Sequence, residues 1–155
     1  MPPSWKKSAA IVVSTLALAA LAAPAATSAD DERELVDMPA MMQEHMLSNM
    51  RDHLKALDEI LGYLAEGNTT EAGVVAEGRL GMSSLTLHGA SEIAKFMPEG
   101  MAAAGTEMHR AASRFVIAAQ DAELEPGKEA QHKVYSALQD VTSACNACHQ
   151  GYRIR

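Results

Sequence analysis

Cys145-Asn146-Ala147-Cys148-His149, near the end of the 155-residue chain, constrains the fold more than any other stretch. Val134, Leu138, Val141, Cys145 and Cys148 recur at intervals of four, three, four and three, which is the spacing of one helix face. Residues three and four apart share that face, so both thiols and the adjoining imidazole can point at one object. Cys-x-x-Cys-His is the attachment sequence for a c-type haem: the two thiols bond to the porphyrin and the histidine ligates its iron. One covalently attached haem c, held by Cys145 and Cys148 with His149 as proximal ligand, is therefore the expected cofactor. Because both cysteines continue the core stripe of their helix, the haem is expected inside the helical assembly and not on its surface.

Other uses of the motif fit less well. A zinc site needs four ligands, usually with a second Cys or His pair at short spacing, and the other histidines are scattered along the sequence. A thioredoxin-like pair belongs near a βαβ unit at the start of a helix, whereas this one ends a helical chain. A disulfide between positions i and i+3 of one helix is strained. No third cysteine exists to offer either thiol another partner.

Residues 1–29 read as a cleaved export signal. Lys6 and Lys7 form the basic region, Ala9 to Ala23 the apolar run, and Pro24 to Ala29 the small-residue cleavage region. The run is shorter than the roughly 20 residues of a spanning helix, so cleavage after Ala29 is expected and membrane insertion is not. Haem is joined to such motifs outside the cytoplasm, which agrees with export to the periplasm of a Gram-negative bacterium. Loss of the leader takes the net charge from −7 to about −9. So acidic a chain is not expected to bind nucleic acid or anionic lipid. A redox partner with a basic docking surface would suit it, and so would a plain role of the charge in solubility.

Residues 30–155 are one domain's worth of chain. One Trp, few other aromatics and abundant Ala, Leu, Met and Glu predict an all-α fold. The first helix is expected from Pro39 to Ala65, with Leu47, Met50, Leu54, Leu57, Leu61 and Leu64 as its apolar stripe and Gly67 as its left-handed stop. A second follows from Asn68, with Glu71 as capping-box partner, through Val74, Val75, Leu80, Leu85 and Leu87 to Gly89. Gly73, Gly78 and Gly81 either weaken it or admit a close neighbour. An irregular link runs through Phe96 and Met97. Pro98 opens a third helix, striped by Met101, Met108, Ala112, Phe115 and Ala119, which ends near Asp121. Pro126 and Gly127 precede the fourth. Short connections predict an antiparallel up-down-up-down four-helix bundle with the haem at one end. That topology brings Met41, Met42, Met46 and Met50, together with His88, Met97 and Met101, to the end where His149 lies.

The tail CNACHQGYR and the helix pattern resemble the cytochrome c′ family, class II c-type cytochromes that include the low-spin cytochromes c-556. The resemblance implies His149 as proximal ligand, with Tyr152 and Arg153 as the aromatic and the arginine of the proximal pocket. It also implies a homodimer through the first two helices. In the low-spin branch a methionine of the first helix takes the sixth iron position. The stretch MLSNMRDHL matches that branch with Met46 as distal ligand. Sliding the match by one residue places Leu47 over the iron instead, and puts Gln43 where many members carry an arginine near the haem. Met42, Met50, His88 or a vacant position are the alternatives to Met46.

His45, His53, His109 and His132, along with His88, are otherwise expected to face solvent or to be satisfied within the fold. The Met- and His-rich stretch from Met38 to His53 also suits Cu(I), which makes a periplasmic copper-binding bundle a further alternative. No catalytic acid, base or nucleophile is evident, so the chain is not expected to be an enzyme. The sequence is best read as a one-electron carrier, with a five-coordinate protein binding nitric oxide or carbon monoxide as the runner-up.

Overall fold

The computed structural model describes residues 30–155; the expected signal lies outside the described residues. Among the described residues five α-helices follow one another: α1 (Ala40–Ala65), α2 (Thr69–Arg79), α3 (Ala90–Ile93), α4 (Glu99–Leu124) and α5 (Lys128–Gly151). The fold is all-α apart from two short strands, β1 (Glu34–Leu35) and β2 (Tyr152–Arg153), which pair in parallel. No described helix is long and apolar enough to cross a membrane.

The long helices begin and end where local chemistry requires. Pro39 and Pro98 precede α1 and α4, where a missing N–H costs nothing. Gly67 takes φ +78° after α1, a conformation that only glycine adopts without strain. Asn68 precedes α2, but its side chain makes no capping bond, so the expected capping box does not form.

The expected second helix is the main departure. Regular helix stops at Arg79, and residues 80–96 form a turn, two short 3₁₀ segments (Met82–Ser84 and Ala94–Phe96) and α3. The reason is a local polar network. Gly81 N–H donates to Ala76 O at 2.7 Å, and Ser84 Oγ donates to Gly81 O at 2.7 Å. The Glu77 carboxylate accepts from Ser83 N–H at 3.1 Å and from Ser113 Oγ at 2.7 Å. Serine and glycine thus offer the backbone partners outside a helix. At Gly89, φ is +58°, and the chain turns again into α3.

Packing proceeds from α1 to α2, α2 to α4, and most extensively α4 to α5. Alanines make close approach possible: Ala56, Ala72, Ala76, Ala111, Ala112 and Ala119 are all nearly inaccessible, and they surround Phe115, Ile60 and Leu80. Gly73 faces Val116 and Ala119 of α4 at contact distance, whereas Gly78 faces open space. The fully buried residues of α1 are Met46, His53, Ala56 and Ile60; of the expected stripe, Leu57 and Leu64 pack against the main core and Met50 against the second cluster, only partly buried. Leu54 and Leu61 are 70% and 55% exposed. The helical period is as expected, but the face is turned, because α2 packs on the smaller residues.

A second apolar cluster lies apart from the main core. It holds Val36, Met38, Met46, Ile93 and Met101, with Met42, Met50, Met97, Cys148, Tyr152 and Ile154 packed against it. The strand pair belongs to this region: Val36 N–H donates to Arg153 O at 2.8 Å, which ties the C-terminal tail to the segment before α1.

Candidate functional site

Between the second cluster and the irregular segment is a cavity of about 440 Å³, within the roughly 300–1,000 Å³ range of cofactor and small-molecule sites. α5 presents Cys148 and His149 to it at its C-terminal end, and the tail adds Tyr152 and Arg153. α1 supplies Met46, Leu47, Asn49, Met50 and His53, while α4 and the residues before it supply Met97, Met101, Met108 and His109. Leu85, His88 and Ile93 come from the irregular segment. The lining is therefore mostly apolar, with Arg33, Arg153 and Arg155 as cationic groups.

Most of the residues singled out in the sequence meet here. Met46, His88, Met97, Met101, Cys148, His149, Tyr152 and Arg153 all border the cavity. Cys145 lies half-buried against the main core instead, and Met41 is 74% exposed. Both cysteines are free thiols. Burial raises the pKa of each, the reverse of the depressed value that marks a reactive redox thiolate. Arg33 Nη1 donates to the His149 carbonyl at 3.4 Å, which adds a second tie between the segment before α1 and the end of α5.

The histidines depart from expectation. His53, His88 and His109 are buried together, with exposures of 9%, 5% and 7%, and one ring nitrogen from each lies within 4.8 Å of the others. His53 and His88 meet edge to face with centroids 4.6 Å apart. They come from α1, from the turn before α3 and from α4. In sequence they look scattered; the turn at Gly81 and Ser84 is what brings His88 to the other two. The break Gly81-Met82-Ser83-Ser84 within an apolar run is a turn signal, and it was the available hint.

Hydrogen bonding sets the tautomer of His109. His109 Nδ1 lies 2.7 Å from Leu80 O, and a carbonyl only accepts, so Nδ1 carries the proton and Nε2 the lone pair. Ser84 Oγ donates to Gly81 O and can accept from His88 Nδ1 at 3.4 Å. His88 Nδ1 also lies 3.5 Å from His53 Nε2, and His88 Nε2 is buried without a hydrogen-bond partner. A buried polar atom left so costs about 1–3 kcal/mol. His45 Nε2 and Asn49 Nδ2 each lie 2.9 Å from the His88 carbonyl, and they hold that backbone in place from α1.

Burial and the neighbouring rings push the His53 pKa down to about 4. Burial lowers His88 and His109 as well, so all three rings are neutral near pH 7. Asp52, next to His53, is held by Arg79, which also donates to Glu59 at 2.7 Å. The bond from Arg79 keeps the Asp52 carboxyl below its ordinary range. Comparison with protein-family models, with curated proteins and with solved structures found no match to the chain.

Proposed function

We propose that this chain is an exported monohaem c-type cytochrome, folded as an antiparallel four-helix bundle of the cytochrome c′ type, that carries single electrons in the periplasm. The observation that carries the reading is Cys145-x-x-Cys148-His149 on the last turns of α5, with Cys148 and His149 at the edge of a largely apolar cavity.

The donor set fits the group. Cys145 and Cys148 are free thiols on one helix face, suited to two thioether bonds. His149 borders the cavity and is the nitrogen ligand in this reading. When bound, the haem supplies an iron that changes valence by one electron, and the ligands and surroundings set its potential. The chain's own part is to hold and insulate it. Met46, Met50, Ile93, Met97 and Met101 form an apolar wall that excludes water. Arg33, Arg153 and Arg155 offer guanidinium partners for carboxylates. Met46 is buried at this wall and is the proposed sixth ligand; a methionine opposite a histidine raises the potential. The acidic surface suits a basic redox partner. The proposal includes a homodimer through α1 and α2, where Leu54, Leu61 and Val74 are exposed.

Full-length protein made in cells competent for cytochrome maturation is expected to be red, with haem that resists extraction by acid acetone. Cys145→Ser combined with Cys148→Ser should abolish covalent haem. A colourless wild-type protein would sink the reading. The Met46→Ala variant is expected to turn a low-spin absorption spectrum high-spin and to admit carbon monoxide; an unchanged spectrum eliminates Met46 as ligand. A wild-type spectrum that is already high-spin and shifts with the gas would select the gas-binding alternative.

A further inference from the structure

We infer that His53, His88 and His109 form a binding site for a divalent first-row transition-metal ion, separate from the group that Cys145, Cys148 and His149 would hold. The inference goes beyond the proposed function and does not rest on it.

Three features argue for an ion over a plain polar core. First, the three rings come from three separate segments and converge with one nitrogen each inside 4.8 Å. Zinc–nitrogen bonds of about 2.0–2.1 Å place tetrahedral ligands roughly 3.4 Å apart, so modest rotation of the rings closes the set. Second, the ring of His109 is oriented in the manner expected of a metal ligand. His109 Nδ1–H is anchored on Leu80 O at 2.7 Å, which fixes the ring and leaves Nε2 to coordinate. A backbone carbonyl on the far nitrogen is the usual device for orienting a ligating histidine. Third, His53 Nε2 and His88 Nδ1 already lie 3.5 Å apart, close to that ligand spacing, and His88 Nε2 is buried with no hydrogen-bond partner to hold the ring otherwise.

The chemistry of the donors narrows the ion. Neutral imidazoles suit zinc, copper, nickel or iron and disfavour calcium and magnesium, which take oxygen ligands. The nearest carboxylate neighbour in sequence, Asp52, is bonded to Arg79. The site therefore presents three nitrogens and no thiolate. All three histidines border the cavity that Cys148 and His149 also border, so the ion would sit in its wall, distinct from the haem iron, with a fourth position left for a non-protein ligand.

The test uses the full-length protein, stripped with chelator and then given equimolar zinc at micromolar concentration. One zinc per chain is expected to survive gel filtration, measured apart from iron by elemental analysis. His53→Gln, His88→Gln and His109→Gln should each weaken zinc binding at least about tenfold, since even outer-sphere changes cost that much. His132→Gln, at an exposed position, should leave it unchanged. Zinc-edge X-ray absorption on the unmodified protein counts the imidazoles directly and decides the matter even where a variant fails to fold. Three rings support the site. Fewer than three, no retained zinc, or equal retention by all three glutamine variants overturns it. A histidine variant that alters the iron spectrum in a protein that holds no zinc also overturns it, and would assign that ring to the haem.

Discussion

Acidifying metal-free protein from pH 7 to pH 4 is expected to remove about 3 kcal/mol of folding stability through His53 alone. The sign follows from the direction of the shift. His53 titrates near 4 in the folded chain, against 6.5 as its ordinary value, so below 6.5 the unfolded state binds the extra proton. The stability is fully present above about 6.5 and drains away as the pH falls toward 4. His88 and His109 are lowered too and steepen the loss. The carboxylates with depressed pKa, Asp52 and Glu77, act at lower pH and leave the window between 6.5 and 4.5 to the histidines. A domain of this size has only about 5–15 kcal/mol to lose, so thermal melts in chelator should drop by roughly 10 °C or more across the range. His53→Gln should flatten the dependence. A midpoint constant from pH 7 down to 4.5 would refute the buried, neutral cluster.

Phe115→Ala is expected to cost about 3–5 kcal/mol. Phe115 is fully buried in the main core, a cluster rich in alanines of α1, α2 and α4. Alanine has no rotamers with which to fill a void. The cavity should therefore persist, which places the cost at the upper part of the range for such truncations. Urea unfolding measures it directly. A loss below about 1 kcal/mol would mean that the helices collapse into the gap and that the core is less tightly set than its burial indicates.

The two halves of the site differed in how legible they were. Cys148, His149, Tyr152 and Arg153 could be read as one local unit because they follow one another in the chain. Their meeting with Met46, His88, Met97 and Met101 followed from helix order and short connections, and the structure places these residues around one cavity. The buried stripe of α1 was legible only in part, at Met50, Leu57 and Leu64. Leu54 and Leu61 have the right period, yet His53, Ala56 and Ile60 are the buried residues, because the small face allows α2 to approach. The pairing of β1 with β2 had no sequence signal at all, since two residues per strand are too few to carry a pattern.

Taken alone, the chain's sequence determined what depends on near neighbours: the helical periods, the stops at Gly67 and Pro126, and a Cys-x-x-Cys-His run at the end of the last helix. Such features are set within a turn or two, where backbone sterics and side-chain spacing act. Tertiary structure alone decided which face each helix buries and that His53, His88 and His109 share one pocket. Those outcomes depend on how closely alanine-rich helices approach, and on where a serine-bonded turn redirects the chain. They are properties of packing between segments far apart in sequence.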